Sequence, residues 1–279
     1  MFVLHEPPKL QILYESLEKS IPESLKVREL GETWERGVKL LVDTWPDYQM
    51  VITWHRKEEM KDDLDHYTNT YHIFTKAPDK LEEVLALPIL LLSPGCQVNV
   101  GAAIRKISAA KSVQEDHLRA TVIMTEIPVE PKTSSDDQMG LSSWEGPGHH
   151  SGSFQNILDA FHVGPVNEQW NFGKNERNLK YIECCLQNFP GFGVLGPEGD
   201  PISWIVMEQS CEMRMGYTVP KYRDKGYMKK ISFHFIKYFI QKKMPFYFHV
   251  SRDEENLQAL GSIGLKAAPC GWHQWETHS

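Results

Sequence analysis

The chain has 279 residues, a net charge of −7 and 41% hydrophobic residues. This length allows one large domain or two of ordinary size, with ample material for a core. The acidic balance argues against a general nucleic-acid binder, and a charged fraction of 24% is that of a folded globular protein rather than a disordered chain.

The N-terminal half alternates predicted helices and strands. Apolar residues at helical spacing predict a helix over residues 8–20, and residues 80–86 are also predicted to be helical. Apolar runs predict strands over residues 48–54 and 71–74. This alternation indicates an α/β or α+β layered structure.

A stretch dense in Ser, Gly and Pro, residues 131–152, predicts a flexible linker between two halves. The second half is predicted to begin with a helix and three strands, and to continue with a helix, a strand, a helix and a final strand. These elements cover residues 175–188, 192–195, 202–207, 213–219, 225–243, 246–250, 254–261 and 265–275.

Residues 219–228 join the third of these strands to the long helix through a basic turn with one glycine, Gly226. The unpaired N–H groups of a helix's first turn and the positive end of its dipole bind phosphate. Residues 213–252 contain ten basic residues and one acidic residue, a local charge that attracts anions. The turn is therefore a predicted phosphate site; for each single lysine, a solvated helix face is the simpler explanation.

The five cysteines show no Cys-x-x-Cys spacing, so the sequence indicates neither a disulfide framework nor a zinc site. A reducing compartment fits this pattern best. Cys211 is a candidate nucleophile because it stands next to Glu212. No histidine is close to it in the sequence, which favours a small buried residue.

Other polar clusters have two interpretations each. The segment D-D-L-D-H at residues 62–66 is a candidate metal cluster, but a capped turn before a strand is favoured, and we predict no metal site. His249 is a candidate second base, but a half-buried histidine whose hydrogen bonds are satisfied is the favoured interpretation. Residues 149–150 are expected to face solvent, and Trp272 and Trp275 fit an acyl pocket and a core equally well.

Several unusual sequence strings are spread over nearly the whole chain. They are S-L-K-V at residues 24–27, W-P-D at 45–47, D-D-L-D-H-Y-T-N-T-Y at 62–71, G-K-N-E-R at 173–177, L-G-P-E-G at 195–199, E-M-R-M at 212–215 and W-H-Q-W at 272–275. On these strings the chain resembles the glycine N-acyltransferase family. The order of elements in the second half is also similar to that of a GNAT acyltransferase core.

The resemblance implies an α/β (α+β) protein with a GNAT-type acyl-CoA-binding catalytic domain over residues 153–279. An α/β domain over residues 1–130, itself a candidate GNAT fold, precedes the linker. The implied activity moves an acyl group from acyl-CoA to the amine of a small amino acid, usually glycine and in some members glutamine. Acyl-CoA is then a co-substrate and no cofactor is permanently bound. The implied partners are these two substrates, with no nucleic acid, and a monomer is expected.

The same resemblance assigns residues to roles. Glu212 looks like the general base of the family, and a carboxylate base working near neutral pH needs a pKa raised by burial. The alternative for Glu212 is a strand-end glutamate paired with Arg214 or solvated. The residues implied to bind acyl-CoA through its pantetheine arm and pyrophosphate are Tyr217, Thr218, Val219, Arg223, Asp224, Lys225, Gly226, Tyr227, Met228 and Asn256.

Two features depart from the GNAT pattern. Met228 stands where the Arg-x-x-Gly-x-Gly/Ala loop has a small residue, so it either narrows the loop or points away from it. Residues 258–265 lack the tyrosine that protonates the leaving thiolate in many GNAT enzymes. Both departures favour an alternative, a catalytically weak member that acts as an interaction or scaffold protein. A protein-lysine acetyltransferase is a same-fold alternative, but the N-terminal strings match small-amine conjugating enzymes.

The compartment follows from the resemblance rather than from a targeting signal. The family implies mitochondria, while the first residues are not arginine-rich, and the cytoplasm is the alternative. No signal peptide is expected, because the start lacks a basic segment and a long apolar core. The longest apolar run, residues 84–92, is too short to span a bilayer.

Overall fold

The computed structural model describes residues 2–32, 38–55, 70–81, 94–97, 100–110, 114–124, 158–171, 173–251 and 265–278. The helices are α1 (Pro7–Glu18), α2 (Leu25–Glu32), α3 (Gly101–Ala110), α4 (Val163–Gln169), α5 (Glu176–Asn188) and α6 (Tyr227–Gln241). The strands are β1 (Phe2–Leu4), β2 (Val38–Val42), β3 (Met50–His55), β4 (Tyr71–Thr75), β5 (Pro94–Gln97), β6 (Gln114–Met124), β7 (Gly191–Leu195), β8 (Pro201–Met207), β9 (Met213–Thr218), β10 (Tyr247–Ser251) and β11 (Lys266–His278).

Strands β2 and β4 of the N-terminal half are buried on both faces. In β2, Leu40 and Val42 pack with α1 and α2 residues, while Leu41 faces a second cluster that contains Val100. This follows the two-residue period of a strand, because successive side chains leave opposite faces. The predicted helix over residues 8–20 is confirmed as α1. The predicted helix over residues 80–86 lies mostly outside the described residues.

One eight-stranded sheet contains strands from both halves of the sequence. Its order is β1-β2-β3-β4-β5-β11-β6-β10, so the last strand lies between two strands of the first half. Strand β6 in turn pairs antiparallel with β10 and β11. The division into residues 1–130 and 153–279 stays a prediction, since the linker at residues 131–152 lies outside the described residues. The sheet itself is continuous across the two halves.

The second sheet is the antiparallel meander β7-β8-β9. Strand β8 is buried on both sides: Ile205 and Met207 face α6, and Trp204 and Val206 face α4 and α5. The predicted order of elements from residue 175 onward is confirmed where the structure describes it. The predicted helix over residues 254–261 lies outside the described residues.

Strands β9 and β10 meet at one point and then separate. A parallel bridge joins Glu212 to Tyr247, and beyond this bridge the two strands belong to different sheets. Strand β9 also shifts register against β8 at the residues opposite Ile205, where Met215 has a positive φ of 55°. Such a bulge bends the strand. The result is a wedge between β9 and β10 that is closed at Glu212 and Tyr247.

No helix in the described part of the chain is long and apolar enough to cross a membrane.

Candidate functional site

A tight turn between β8 and β9 holds two glutamates at the closed end of the wedge. The Glu208 N–H donates to the Glu212 carbonyl at 3.0 Å, and the Cys211 N–H donates to the Glu208 carbonyl at 2.9 Å. Cys211 has a φ of 60° and its side chain is buried in the apolar cluster under α6. This environment supports the interpretation of Cys211 as a small buried residue. Both glutamate side chains are buried as well.

The Glu212 carboxylate is surrounded by cationic or protonatable groups. Lys26 Nζ, from α2, donates to Glu212 Oε2 at 2.6 Å. His249 Nδ1, from β10, lies 2.8 Å from Glu212 Oε1, and Arg214 Nε lies 4.0 Å from the same oxygen. Only 4% of Glu212 is exposed. The site thus combines α2 of the first half with β9 and β10 of the second.

This environment sets the direction of the Glu212 pKa. Burial is the largest single influence and raises the pKa, but the charges of His249, Lys26 and Arg214 act together against it. Their sum holds the Glu212 pKa well below its ordinary value. Glu212 is buried, but its pKa is not raised as a carboxylate base working near neutral pH requires. The reason is that three groups stabilise the ionised carboxylate more than burial disfavours it.

Glu208 is a second buried carboxylate in the same network. Its Oε2 accepts a hydrogen bond from Tyr181 Oη at 2.8 Å, and its Oε1 accepts one from the Ser210 hydroxyl. Lys26 Nζ lies 3.6 Å from Glu208 Oε1, so the two carboxylates share this ammonium group. Burial, and then the Glu208 charge, hold the pKa of Tyr181 well above its ordinary value. Tyr181 therefore stays a neutral donor to Glu208.

Arg214 and His249 occupy equivalent places on the two strands that form the wedge. Each stands two residues beyond the Glu212–Tyr247 bridge, so each leaves its strand on the same face as its bridge residue. Their side chains are 16% and 12% exposed, more than the 5% of the Glu212 side chain. The Arg214 guanidinium lies 5.7 Å from the centre of the Trp170 ring, at the end of α4. These two residues are the more accessible members of the buried cluster.

The predicted pantetheine-binding residues lie at the far end of β9. The Val219 N–H already donates to the Ile202 carbonyl of β8 at 2.9 Å. Because alternate residues of an antiparallel strand bond to the same neighbour, the Thr218 N–H points to the wedge side instead. Of the two, Thr218 and not Val219 has its N–H directed to the open edge. Tyr217 pairs with Trp204 in β8.

The predicted phosphate turn has the geometry that a close backbone approach needs. A short 3-10 turn, Pro220–Tyr222, leads to Asp224, and Gly226 then caps α6 with a φ of 75°. A glycine adopts this left-handed conformation without steric cost. Arg223 Nε donates to the Thr218 carbonyl at 3.1 Å, which ties the turn to the end of β9. Arg223, Asp224 and Lys225 are exposed, and Tyr227 begins the helix.

Met228 points away from this turn. Its Sδ and Cε lie 3.9 and 3.8 Å from the place a Cβ would take on Gly216, and the side chain packs on the apolar cluster under α6. Of the two possibilities stated for Met228, the structure supports the one in which it does not narrow the loop. The long Met228 side chain fills the space between α6 and β9.

Several predicted features are outside the described residues: Asn256, the acidic segment 62–66 and residues 149–150. For Trp272 and Trp275 the structure describes the backbone of β11 alone. In the part of the chain that it does describe, no three His, Cys, Asp or Glu side chains are placed to hold a metal ion.

Two members of the cluster, Lys26 and Glu208, were not among the predicted site residues. Lys26 belongs to the S-L-K-V string, so the family resemblance contained a signal for it. Glu208 precedes the E-M-R-M string and has no comparable signal. Neither the charge nor the spacing of either residue indicates that it meets Glu212.

Comparisons with known proteins cover the whole chain. Residues 1–190 match the family described as aralkyl acyl-CoA:amino acid N-acyltransferase, and residues 192–279 match its C-terminal region. The chain is 57% identical to human glycine N-acyltransferase-like protein 2, over 99% of this chain and 98% of that protein. It is 35% identical to glycine N-acyltransferase of Bos taurus, over 99% and 98%. Glycine N-phenylacetyltransferase of Bos taurus is 34% identical, with the same coverage.

Solved structures share the fold at low sequence identity. An X-ray structure of a Drosophila protein superposes with a TM-score of 0.71 and 11% identity, over 98% of this chain and 97% of that one. A tandem GNAT protein from the clavulanic acid biosynthesis pathway gives a TM-score of 0.53 and 10% identity, over 99% and 97%. The chain therefore has an α+β fold of the GNAT type.

Replacing Met228 tests its inward orientation. Met228→Ala removes a half-buried side chain between α6 and β9, so the free energy of unfolding is expected to fall by about 2 kcal/mol in urea titrations. Because the side chain points away from the turn, the KM for acyl-CoA is expected to stay within about twofold of wild type. Lys229→Ala, at the exposed neighbouring position, is the control. A tenfold gain in acyl-CoA affinity in Met228→Ala would contradict the orientation.

The low pKa of Glu212 predicts how its contribution to stability depends on pH. A carboxylate whose pKa is lower in the folded state stabilises the fold above its unfolded pKa, and the contribution is lost as the pH falls through the folded value. Glu212→Gln is therefore expected to lower the free energy of unfolding by about 3 kcal/mol at pH 7. This difference is expected to persist to about pH 4.5 and to shrink below it.

The measurement is urea unfolding of wild type and Glu212→Gln from pH 8 down to the lowest pH at which both are folded. Glu6→Gln is the matched control, because Glu6 also pairs with a lysine, Lys9, but both side chains are largely exposed. Its midpoint is expected to stay near that of wild type throughout. A difference for Glu212→Gln that disappears between pH 7 and 5 would show that the Glu212 pKa is raised instead.

Proposed function

The chain belongs to the aralkyl acyl-CoA:amino acid N-acyltransferase family, and we propose that it transfers the acyl group of an acyl-CoA directly to the amine of glycine. Glutamine is the alternative acceptor. The observation that carries this proposal is the buried Glu212 with Arg214 and His249 beside it, at the closed end of the wedge between β9 and β10. Acyl transfer to an amino acid is served by a proton acceptor and by a cation that binds the acceptor's carboxylate, both at one place.

The wedge and the turn after it suit the donor. We assign the pyrophosphate of acyl-CoA to the N–H groups that begin α6, with Arg223 and Lys225 adding positive charge. The pantetheine arm then follows β9 toward Glu212, where Thr218 directs its N–H to the open edge. The thioester reaches the narrow end of the wedge along this path. An N–H of β9 near the bulge is the proposed donor to the oxygen that becomes negative.

Arg214 is the proposed anchor of the acceptor. Glycine carries a carboxylate, and a guanidinium binds a carboxylate through two parallel hydrogen bonds. Arg214 is partly exposed, stands on the wedge side of the cluster and contacts the Trp170 ring. A carboxylate held there leaves the amine, one carbon away, near the Glu212–His249 pair.

The reaction removes two protons from the acceptor nitrogen and exchanges a C–S bond for a C–N bond. The ammonium of glycine loses a proton to the Glu212–His249 pair, and the neutral nitrogen attacks the thioester carbonyl. The carbonyl oxygen gains the negative charge. As this charge returns to the carbonyl, the C–S bond breaks and CoA leaves as a thiolate. The nitrogen gives its second proton to this thiolate or to water, and the neutral amide is formed. The thiolate is weakly basic, so it leaves without a dedicated acid.

The remaining proposals concern activity level and location. Met228 packs inward and does not fill the turn, so one of the two features that favour a catalytically weak scaffold protein no longer supports it. We propose a monomeric enzyme, in mitochondria by analogy with the family and with the cytoplasm as the alternative. A protein-lysine acetyltransferase is disfavoured, because a lysine side chain presents no carboxylate to Arg214.

The direct experiment measures thiol release from benzoyl-, phenylacetyl- and long-chain acyl-CoA with glycine or glutamine. We expect release with glycine for at least one donor. Arg214→Gln is expected to raise the KM for glycine roughly tenfold to a hundredfold, the loss of a charged hydrogen-bonded pair, and to leave the KM for acyl-CoA within about twofold.

Arg223→Gln is the matched variant, because Arg223 is proposed to act on the donor alone. It is expected to raise the KM for acyl-CoA by at least about threefold, with the KM for glycine unchanged. No thiol release with any pair of substrates, together with undetectable acyl-CoA binding, would overturn the enzymatic proposal. Equal effects of both variants on both KM values would overturn the two assignments.

A further inference from the structure

We infer that His249 is the group that accepts the proton from the acceptor amine, and that Glu212 is a positioning residue which orients the imidazole. This inference rests on the proposed function and assigns the proton to one atom of the Glu212–His249 pair. It differs from the family resemblance, which implies Glu212 itself as the base.

The Glu212 carboxylate is poorly placed to take the proton. Lys26 Nζ lies 2.6 Å from Oε2 and His249 Nδ1 lies 2.8 Å from Oε1, so each oxygen already has a close partner. A proton on this carboxylate would leave the buried Lys26 ammonium opposite a neutral acid. Breaking a buried ion pair in this way costs several kcal/mol. The low pKa of Glu212 agrees with this geometry.

The geometry of the His249 imidazole favours Nε2 as the atom that accepts the proton. A carboxylate close to Nδ1 favours the tautomer with its hydrogen on Nδ1, which leaves the lone pair on Nε2 as the basic site. The same carboxylate stabilises the imidazolium after Nε2 has been protonated. Glu212 therefore orients His249 for proton transfer without being protonated itself. The proton moves from the amine nitrogen to Nε2, and the nitrogen lone pair then forms the bond to the carbonyl carbon.

His249 is also more accessible from the wedge than Glu212 is. His249 stands on β10, two residues past the bridge that closes the wedge, and its side chain is more exposed than that of Glu212. The acceptor amine, held near Arg214 on the opposite strand, thus meets the imidazole before it meets the carboxylate. Ionisable groups of the cluster around His249 include Glu212 and Glu208 of the β8–β9 turn, Arg214 of β9, Lys26 of α2 and Tyr247 of its own strand.

The decisive variant is His249→Asn. The Asn amide can place an N–H near the position of Nδ1, so Glu212 keeps a donor while the basic nitrogen is lost. We expect kcat to fall by about 10²- to 10⁴-fold, with the KM for acyl-CoA within about twofold and the thermal midpoint near that of wild type. His234→Asn is the control, since His234 is another half-buried histidine, on α6 and packed edge-on against Phe192. Its rate is expected to match wild type.

Two further readouts separate a base from a structural role. In wild type, kcat/KM is expected to depend less steeply on pH than the residual rate of His249→Asn. In His249→Asn the residual rate should keep rising in proportion to the neutral fraction of glycine. In His249→Ala, added imidazole is expected to restore part of the rate in a concentration-dependent way. Glu212→Gln, whose amide oxygen still accepts from Nδ1, should retain more activity than His249→Asn.

The outcomes separate this inference from the proposed function. A folded His249→Asn with a rate within threefold of wild type, alongside inactive Glu212→Gln, overturns the inference and leaves the transfer reaction in place. If Glu212→Gln does not fold, the pH profile and the imidazole rescue decide between the two residues. No thiol release by the wild-type protein with any substrate pair overturns the proposed function, and this inference with it.

Discussion

The ion pair between Lys26 and Glu212 is the interaction on which the site depends. It joins α2 of the first half to β9 of the second over 186 residues of sequence, at 2.6 Å and in a buried environment. Two charges withdrawn from water are stable only if they are well paired and their remaining positions are filled. His249, Arg214 and Glu208 supply those further partners, so that the members of the cluster constrain one another. The cluster therefore keeps the Glu212 carboxylate ionised.

That constraint also explains the division of labour within the wedge. The bridge between Glu212 and Tyr247 brings β9 and β10 together, and the strands separate immediately past it. Arg214 and His249 are the first wedge-facing residues on each strand, and both are more exposed than the carboxylate between them. A substrate that enters the wedge thus encounters a guanidinium on one side and an imidazole on the other. In the proposed reaction the buried carboxylate acts through them, and the basic turn before α6 is assigned to the other end of the donor.

Much of the fold and part of the site could be predicted from the sequence. Helices such as α1 and α6 can be predicted because apolar residues recur every three to four positions, and strand β8 because it is a short apolar run between turn residues. The basic turn with Gly226 was predicted from its own sequence, and Glu212 from the E-M-R-M string. Lys26 was not, because its contact with Glu212 is set by packing between distant elements. For the same reason neither the burial of Glu212 nor the cations that surround its carboxylate could be predicted from the sequence. The insertion of β11 beside β5 likewise has no local signal.

The central claim is that Lys26 and Glu212 form one energetic unit across the two halves of the chain. A double-mutant cycle with Lys26→Met, Glu212→Gln and the double variant, each measured by urea unfolding at pH 7, tests it most directly. The account predicts a coupling free energy above about 1.5 kcal/mol, with the double variant more stable than the sum of the single losses implies. Single effects that add to within about 0.5 kcal/mol would contradict it.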